Sequence, residues 1–120
     1  MRIIPVIGVT ILYIPITIFF NDFRSTVVAI NGILYHTNET IYKLKYNDII
    51  WNTLLIIYSA YRNTDIIKYE ILAICIYVCN VWLYEKMIIS RTLSEIIHVT
   101  GVQGIGAYGI FKDCLLHYKI

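Results

Sequence analysis

The stretch DIIKYEILAICIYVCNVWLYEK, residues 65–86, decides how the whole chain is read. Its middle is apolar enough to sit in lipid, yet Lys68 and Glu70 fall within the first two turns of the helix it predicts. Either that helix starts later and both charges are wet, or a carboxylate is kept inside a membrane, and intramembrane carboxylates carry function. The polar turn Arg62-Asn63-Thr64-Asp65 marks the start: Asn63 or Thr64 can cap the helix, and Asp65 suits its positive end. Counted from Thr64, Glu70 then lies about 9 Å along the axis, below the headgroups and short of the midplane. Lys68 is two positions away, about 200° round the helix, so the two cannot pair as i,i+4 residues do.

Composition supports a membrane setting. The 120 residues are 58% hydrophobic and 15% charged, against about 45–50% and 25% in soluble domains. A chain of this length is at most one domain and cannot hide so much apolar surface from water. Mean hydropathy is +0.67. The net charge of +2 comes from ten basic and eight acidic residues scattered singly, with no basic run to track a phosphate backbone, so nucleic acid is not an expected partner. Ile outnumbers Leu, Tyr and Asn are frequent and Ala is scarce, a bias that AT-rich codons produce and that fits an organelle or viral gene. The three cysteines, Cys75, Cys79 and Cys114, lie in or beside apolar segments and read as packing residues; Cys75 and Cys79 share a helix face but no second ligand pair follows to complete a metal site.

Outward from residues 65–86, three further segments are predicted. The first, residues 3–20, carries no charge and at about 27 Å nearly matches the hydrocarbon thickness; Pro5 suits a first turn and Pro15 should remove a backbone bond. A cleaved signal peptide competes with this reading, but only NDFRS follows it, without a small-residue cleavage site, so retention is expected. Residues 21–47 mix charges with short apolar pieces and read as an extramembrane loop, with Asn31-Gly32 as a hairpin signal and Asn38-Glu39-Thr40 as a glycosylation pattern of little weight. Residues 49–61 make a short second span between Asp48 and Arg62, with Trp51 and Tyr58 among its interfacial aromatics. The last begins near Leu93 and runs to Lys112, with Gly101, Gly104 and Ala107 at every third position as a face on which another helix can pack closely. The expected fold is an all-α polytopic membrane helix bundle of three to four transmembrane helices: an N-terminal span in 1–20, a loop at 21–47 and a three-helix core at 48–120. Lys and Arg fall five and five on the two sides of the four-span arrangement, with Arg2 and Lys119 counted, so the positive-inside rule gives no orientation.

Chemistry has few candidates. Glu70, His98 and Gln103 are the polar groups at depth, and each is weighed against a plain packing role: Glu70 against a wet or ion-paired carboxylate, His98 against a hydrogen-bonded packing histidine. Asn80 is expected to bridge helices. No phosphate loop, nucleophile elbow, zinc cluster or carboxylate pair appears, which argues against an autonomous enzyme.

On Arg62-Asn63, then KYEILAICIYV with Glu70, then the small-residue run GVQGIGAYG, the chain resembles subunit 4L of NADH:ubiquinone oxidoreductase, respiratory complex I. The resemblance covers residues 47–118; Gln103 stands where the family has a second glutamate, and the N-terminal span lies outside the pattern. Subunit 3 of the same enzyme fits less well, because its cysteine-bearing loop has no counterpart in residues 21–47. The resemblance implies a mitochondrial inner-membrane protein among other membrane subunits. Glu70 would serve in proton translocation coupled to quinone reduction, with His98 and Gln103 as polar neighbours and the redox cofactors held by other chains. The alternative class is a structural protein, either an accessory subunit of a respiratory assembly or a viral membrane protein, in which Gly101, Gly104 and Ala107 would matter and Glu70 would only meet a neighbouring cation.

Overall fold

The computed structural model describes residues 3–118, and among these the chain is all-helical. Helix α1 is Ile3–Phe20, α2 Phe23–Thr37, α3 Tyr42–Arg62 and α4 Ile67–Glu85, the last preceded by a 3-10 turn at Thr64–Ile66. The final rod changes pitch along its length, from α5 (Arg91–Ile97) through a π-helical segment (His98–Gln103) to α6 (Gly104–Tyr118). Tight turns reverse the chain between successive rods, giving five antiparallel helical rods in a body of 48 × 25 × 22 Å. Two helical stretches, Ile3–Phe20 and Thr64–Glu85, are long and apolar enough to cross a membrane.

The largest departure from the sequence reading lies in residues 21–47, where a helix replaces the expected loop and hairpin. Asn21 turns the chain with φ 51, a left-handed conformation that asparagine tolerates. Asp22 then caps α2 by accepting from the Arg24 backbone N–H at 2.9 Å. Asn31 and Gly32 fall in mid-helix. Gly32 is there for closeness, since a Cβ would come within 3.0 and 3.2 Å of the Val9 methyls on α1, while the Asn31 side chain accepts from Asn47 of α3 at 2.9 Å. Helix α3 likewise begins at Tyr42, well before the expected Ile49.

With α2 helical, Arg24 joins Arg62, Lys68 and Lys112 at one end of the bundle, and Lys43, Lys45, Lys86 and Arg91 occupy the other. The described residues thus divide four and four and still give no orientation; Arg2 and Lys119 lie outside the described residues.

The core sits where α1, α2 and α6 meet, around Val9, Tyr13, Ile16, Ala29, Ala107 and Cys114. Helix α3 packs chiefly on α2 and only grazes α4. That light contact leaves a space between them.

Candidate functional site

The space is a cavity of about 430 Å³, walled by α3 and α4 and floored by α1, α2 and the π segment. One face of α3 supplies Lys45, Asp48, Asn52 and Ser59, at spacings of three, four and seven, and α4 supplies Glu70, Ala73 and Tyr77, at spacings of three and four, with Tyr69 beside them; such spacings keep each set on a single helix side. His36 from α2, with His98 and Gln103 from the π segment, complete the polar lining, and much of the rest is aliphatic. All three polar residues singled out in the sequence, Glu70, His98 and Gln103, therefore border one cavity.

Their surroundings differ. Among the described residues no hydrogen bond or ion pair reaches the Glu70 carboxylate, and Arg24 is the cation whose field acts on it. Asp48, on the facing helix, is hydrogen-bonded to Asn52 one turn further on, while the buried Asn52 Oδ1 lacks a hydrogen-bond partner among the described residues. The His98 ring lies 5.4 Å from that of His36 and 6.2 Å from that of Tyr77, edge to face in both cases. Gln103 acts as a strap: its Nε2 donates to Pro5 O at 3.3 Å, and its carbonyl accepts from the buried Tyr13 hydroxyl at 3.0 Å. The π turn widens the helix across His98–Gln103, and such turns are frequent at functional sites.

The small residues of the last rod do not form a single stripe. The π pitch turns Gly101 toward α4, where a Cβ would stand 2.6 Å from Ile76, and buries Ala107 in the core with α1. Gly104 meets no other helix within that reach and borders a shallow apolar groove with Gly8 and Ile11. Asn80, expected as an interhelical link, donates to Ser94 O at 3.0 Å.

A second polar feature lies at the end of the bundle nearest Glu70. The fully buried Arg24 donates to Asp22 Oδ2 at 2.9 Å, meets Asp113 Oδ2 at 2.7 Å and donates to Ser59 Oγ at 3.1 Å. Asp113 also receives Asn63 Nδ2 at 3.0 Å and faces Arg62 Nε at 3.5 Å and His117 Nδ1 at 3.0 Å. Burial works to raise the Asp22 pKa, but the Arg24 guanidinium overrides it and holds the carboxyl below the usual range. Beside it, burial and the Asp22 carboxylate push the Cys114 thiol up to about 12, which keeps it unreactive. This cluster ties the α1–α2 turn to the ends of α3 and α6. At the opposite end Arg91 bridges Glu39 at 2.9 Å and Glu95 at 3.2 Å; it is half exposed, so those pairs contribute little.

Sequence reasoning missed Asp22, Arg24, Asp48 and Asp113. The residue pairs that give Arg24 and Asp113 their meaning are far apart in the chain, and no local pattern marks them. Asp48 had a signal, because it shares the α3 face with Lys45 and Asn52. Comparison with protein-family models, curated proteins and solved structures finds no match for this chain.

Proposed function

We propose that the chain is a polytopic membrane protein whose internal cavity provides a path for protons. The inverted distribution of polarity carries the membrane reading. Among the described residues the buried side chains number ten apolar, Pro5 included, against ten polar or charged, while residues such as Ile7, Ile11, Leu54, Ile71, Leu72, Val78 and Trp82 face outward. Water would reward the reverse arrangement, whereas lipid rewards this one. Charges also cluster by level: residues 25–38, 49–61, 71–84 and 96–111 are uncharged, as is α1, and laid side by side they make an apolar slab about 20–27 Å thick at 1.5 Å per residue. Flanking lysines and the aromatic residues near the helix ends extend that slab toward the full hydrocarbon width. All five rods cross in this reading, α2 included.

At the two edges of that slab, Asp48 and Glu70 border one cavity, Asp48 toward the end that holds the His36–His98 pair and Glu70 toward the Arg24 cluster. Tyr77 stands seven residues beyond Glu70 on α4, so the imidazoles lie about 10 Å from the carboxylate along the axis. That is too far for direct transfer, and a path requires water in the cavity between them. This is the role that the resemblance to subunit 4L assigns to Glu70. In its fuller form the reading places the protein in complex I of the mitochondrial inner membrane, beside other membrane subunits, contributing to proton translocation and leaving electron transfer to them.

The test is Glu70→Gln in the assembled complex or in proteoliposomes. Assembly should survive, because no ion pair is lost, while proton uptake or the quinone-linked rate falls. Unchanged proton movement in the assembled variant would leave the chain a structural membrane subunit. Proteins that co-purify in mild detergent identify the assembly, and the absence of complex I subunits among them would remove that placement.

A further inference from the structure

We infer that Lys68 and Lys112, gathered around Tyr69 at one edge of the apolar slab, bind the phosphate headgroup of an anionic phospholipid. The inference rests on the membrane reading above and is independent of the proton path. Lys112 Nζ donates to the Tyr69 hydroxyl at 3.0 Å, and Lys68 acts on that same hydroxyl from a position 5.2 Å from the ring centroid. Lys112 also stands 5.4 Å from the Tyr69 centroid and 5.8 Å from that of Tyr108, whose ring meets Tyr69 edge to face at 5.3 Å. Gly109 lets the two helices come this close, since a Cβ there would stand 3.4 Å from that of Tyr69. Two ammonium groups therefore converge on one neutral oxygen, and a single headgroup can reach both. Among the described residues neither lysine meets a carboxylate in an ion pair, and Asp65 acts on Lys112 only through space. The arginines at the same end differ, because Arg24 is held by Asp22 and Asp113 and Arg62 faces Asp113.

The placement favours a lipid over a free anion. Lys68 stands just before the uncharged residues 71–84 and Lys112 just after 96–111, so both ammonium groups lie at the level where headgroups begin. Four residues toward the middle of the slab on the same helix faces, Leu72 and Tyr108 are exposed. They give an acyl chain an apolar track directly beside the charged group. A phosphate offers several charged acceptor oxygens where the two lysines now share one phenol, and the Tyr69 hydroxyl can donate to it as well. A zwitterionic headgroup carries its own ammonium next to the phosphate, which these lysines repel. A headgroup with net negative charge does not meet that repulsion, and lysines clustered at a helix end are how such lipids are recognised.

The full chain is reconstituted in phosphatidylcholine vesicles that carry a small share of photoreactive phosphatidylglycerol or photoreactive phosphatidylcholine, and the cross-linked peptides are read by mass spectrometry. Phosphatidylglycerol should label residues 67–76 and 104–112 saturably and about tenfold or more above phosphatidylcholine, since each lysine near an anionic surface contributes a factor of about five. Lys68→Gln with Lys112→Gln should bring the two lipids to parity there, and Lys68→Arg with Lys112→Arg should keep the preference. Lys43→Gln with Lys86→Gln, the same loss of charge at the other end, should leave it unchanged. Inorganic phosphate in large excess should not compete, because it brings no tail. Parity in the parent, full preference in the Lys68 and Lys112 glutamine variant, an equal loss in the Lys43 and Lys86 variant, or displacement by inorganic phosphate overturns the inference. A chain that does not enter the vesicles overturns it together with the membrane reading. Loss of proton flux in Glu70→Gln with no lipid preference in the parent overturns it and leaves the proton path standing. A preference that depends on the two lysines, with flux indifferent to Glu70, upholds it and removes the proton path instead.

Discussion

Arg24 shows what a single residue does in this chain. Its guanidinium is 0% exposed and reconciles two acids, Asp22 from a turn and Asp113 from the last helix. Removing one partner of a buried ion pair strands the other charges, at a cost of about 3–5 kcal/mol. Arg24→Ala should therefore lower stability by that order in detergent unfolding. Arg24→Lys should recover only part of it, because one ammonium cannot reproduce the fork that meets Asp22, Asp113 and Ser59 together. The same cluster sets an acid limit. Because the folded Asp22 pKa lies below its unfolded value of 3.8, the stabilisation is present above about pH 4 and is lost as pH falls through the lower, folded value. A melting-temperature profile should thus drop at acid pH, and Asp22→Asn should flatten that limb; a limb of equal steepness in the variant removes Asp22 as its source. None of this was legible at residue scale, since Arg24 and Asp113 look like isolated charges until folding joins them. Glu70 was legible because its oddity is local: an acid inside the first turn of an apolar helix.

Among the elements, the last rod is the informative one. Its glycines and its start near Leu93 were readable from composition, but the π turn was not, because a change of pitch depends on what lies against each face. Tyr13 and Pro5 of α1 hold Gln103, and Ile76 of α4 lies over Gly101. A straight α-helix would have kept Gly101, Gly104 and Ala107 nearer one line. Gly101→Val places a methyl-bearing carbon where Ile76 already sits, and overpacking of this kind costs about 1–3 kcal/mol. Ile76→Ala in the same chain should return most of that loss, whereas a purely additive double variant would show that the two do not touch. Helix α2 was misread for a related reason. Asn31-Gly32 carries turn chemistry in isolation, and only the closeness of Val9 makes glycine useful in mid-helix. Helices α1 and α4 were legible nearly to the residue, because uninterrupted apolar runs bounded by charges leave little choice of period or end.

At the scale of the molecule, the number of crossings separates the sequence reading from the proposed one. A loop at residues 21–47 leaves Asp22 and Glu39 on the same side of a membrane, whereas helical α2 carries the chain from one end of the bundle to the other between them. The outward residues of α2, Phe23, Ile30 and Leu34, are apolar, and its Arg24, Ser25, Asn31 and His36 point inward, which is what the proposed crossing asks of α2 despite its modest hydropathy. The three helices covered by the resemblance do not make the core by themselves, because α3 barely touches α4 and the buried core cluster draws on α1 and α2 as well as α6. Single cysteines at Asn21 and Thr40, in a chain cleared of Cys75, Cys79 and Cys114, decide the matter in oriented vesicles. An impermeant thiol reagent should label one of the two positions from outside and the other only after the membrane is opened. Asp65 should follow Asn21 and Lys86 should follow Thr40, since those pairs share an end of the bundle. Leu54 and Val78, on outward faces within the slab, should resist the reagent from both sides. Labelling of positions 21 and 40 from the same side would return α2 to the membrane surface, and would then require its buried Arg24 to be reached by water.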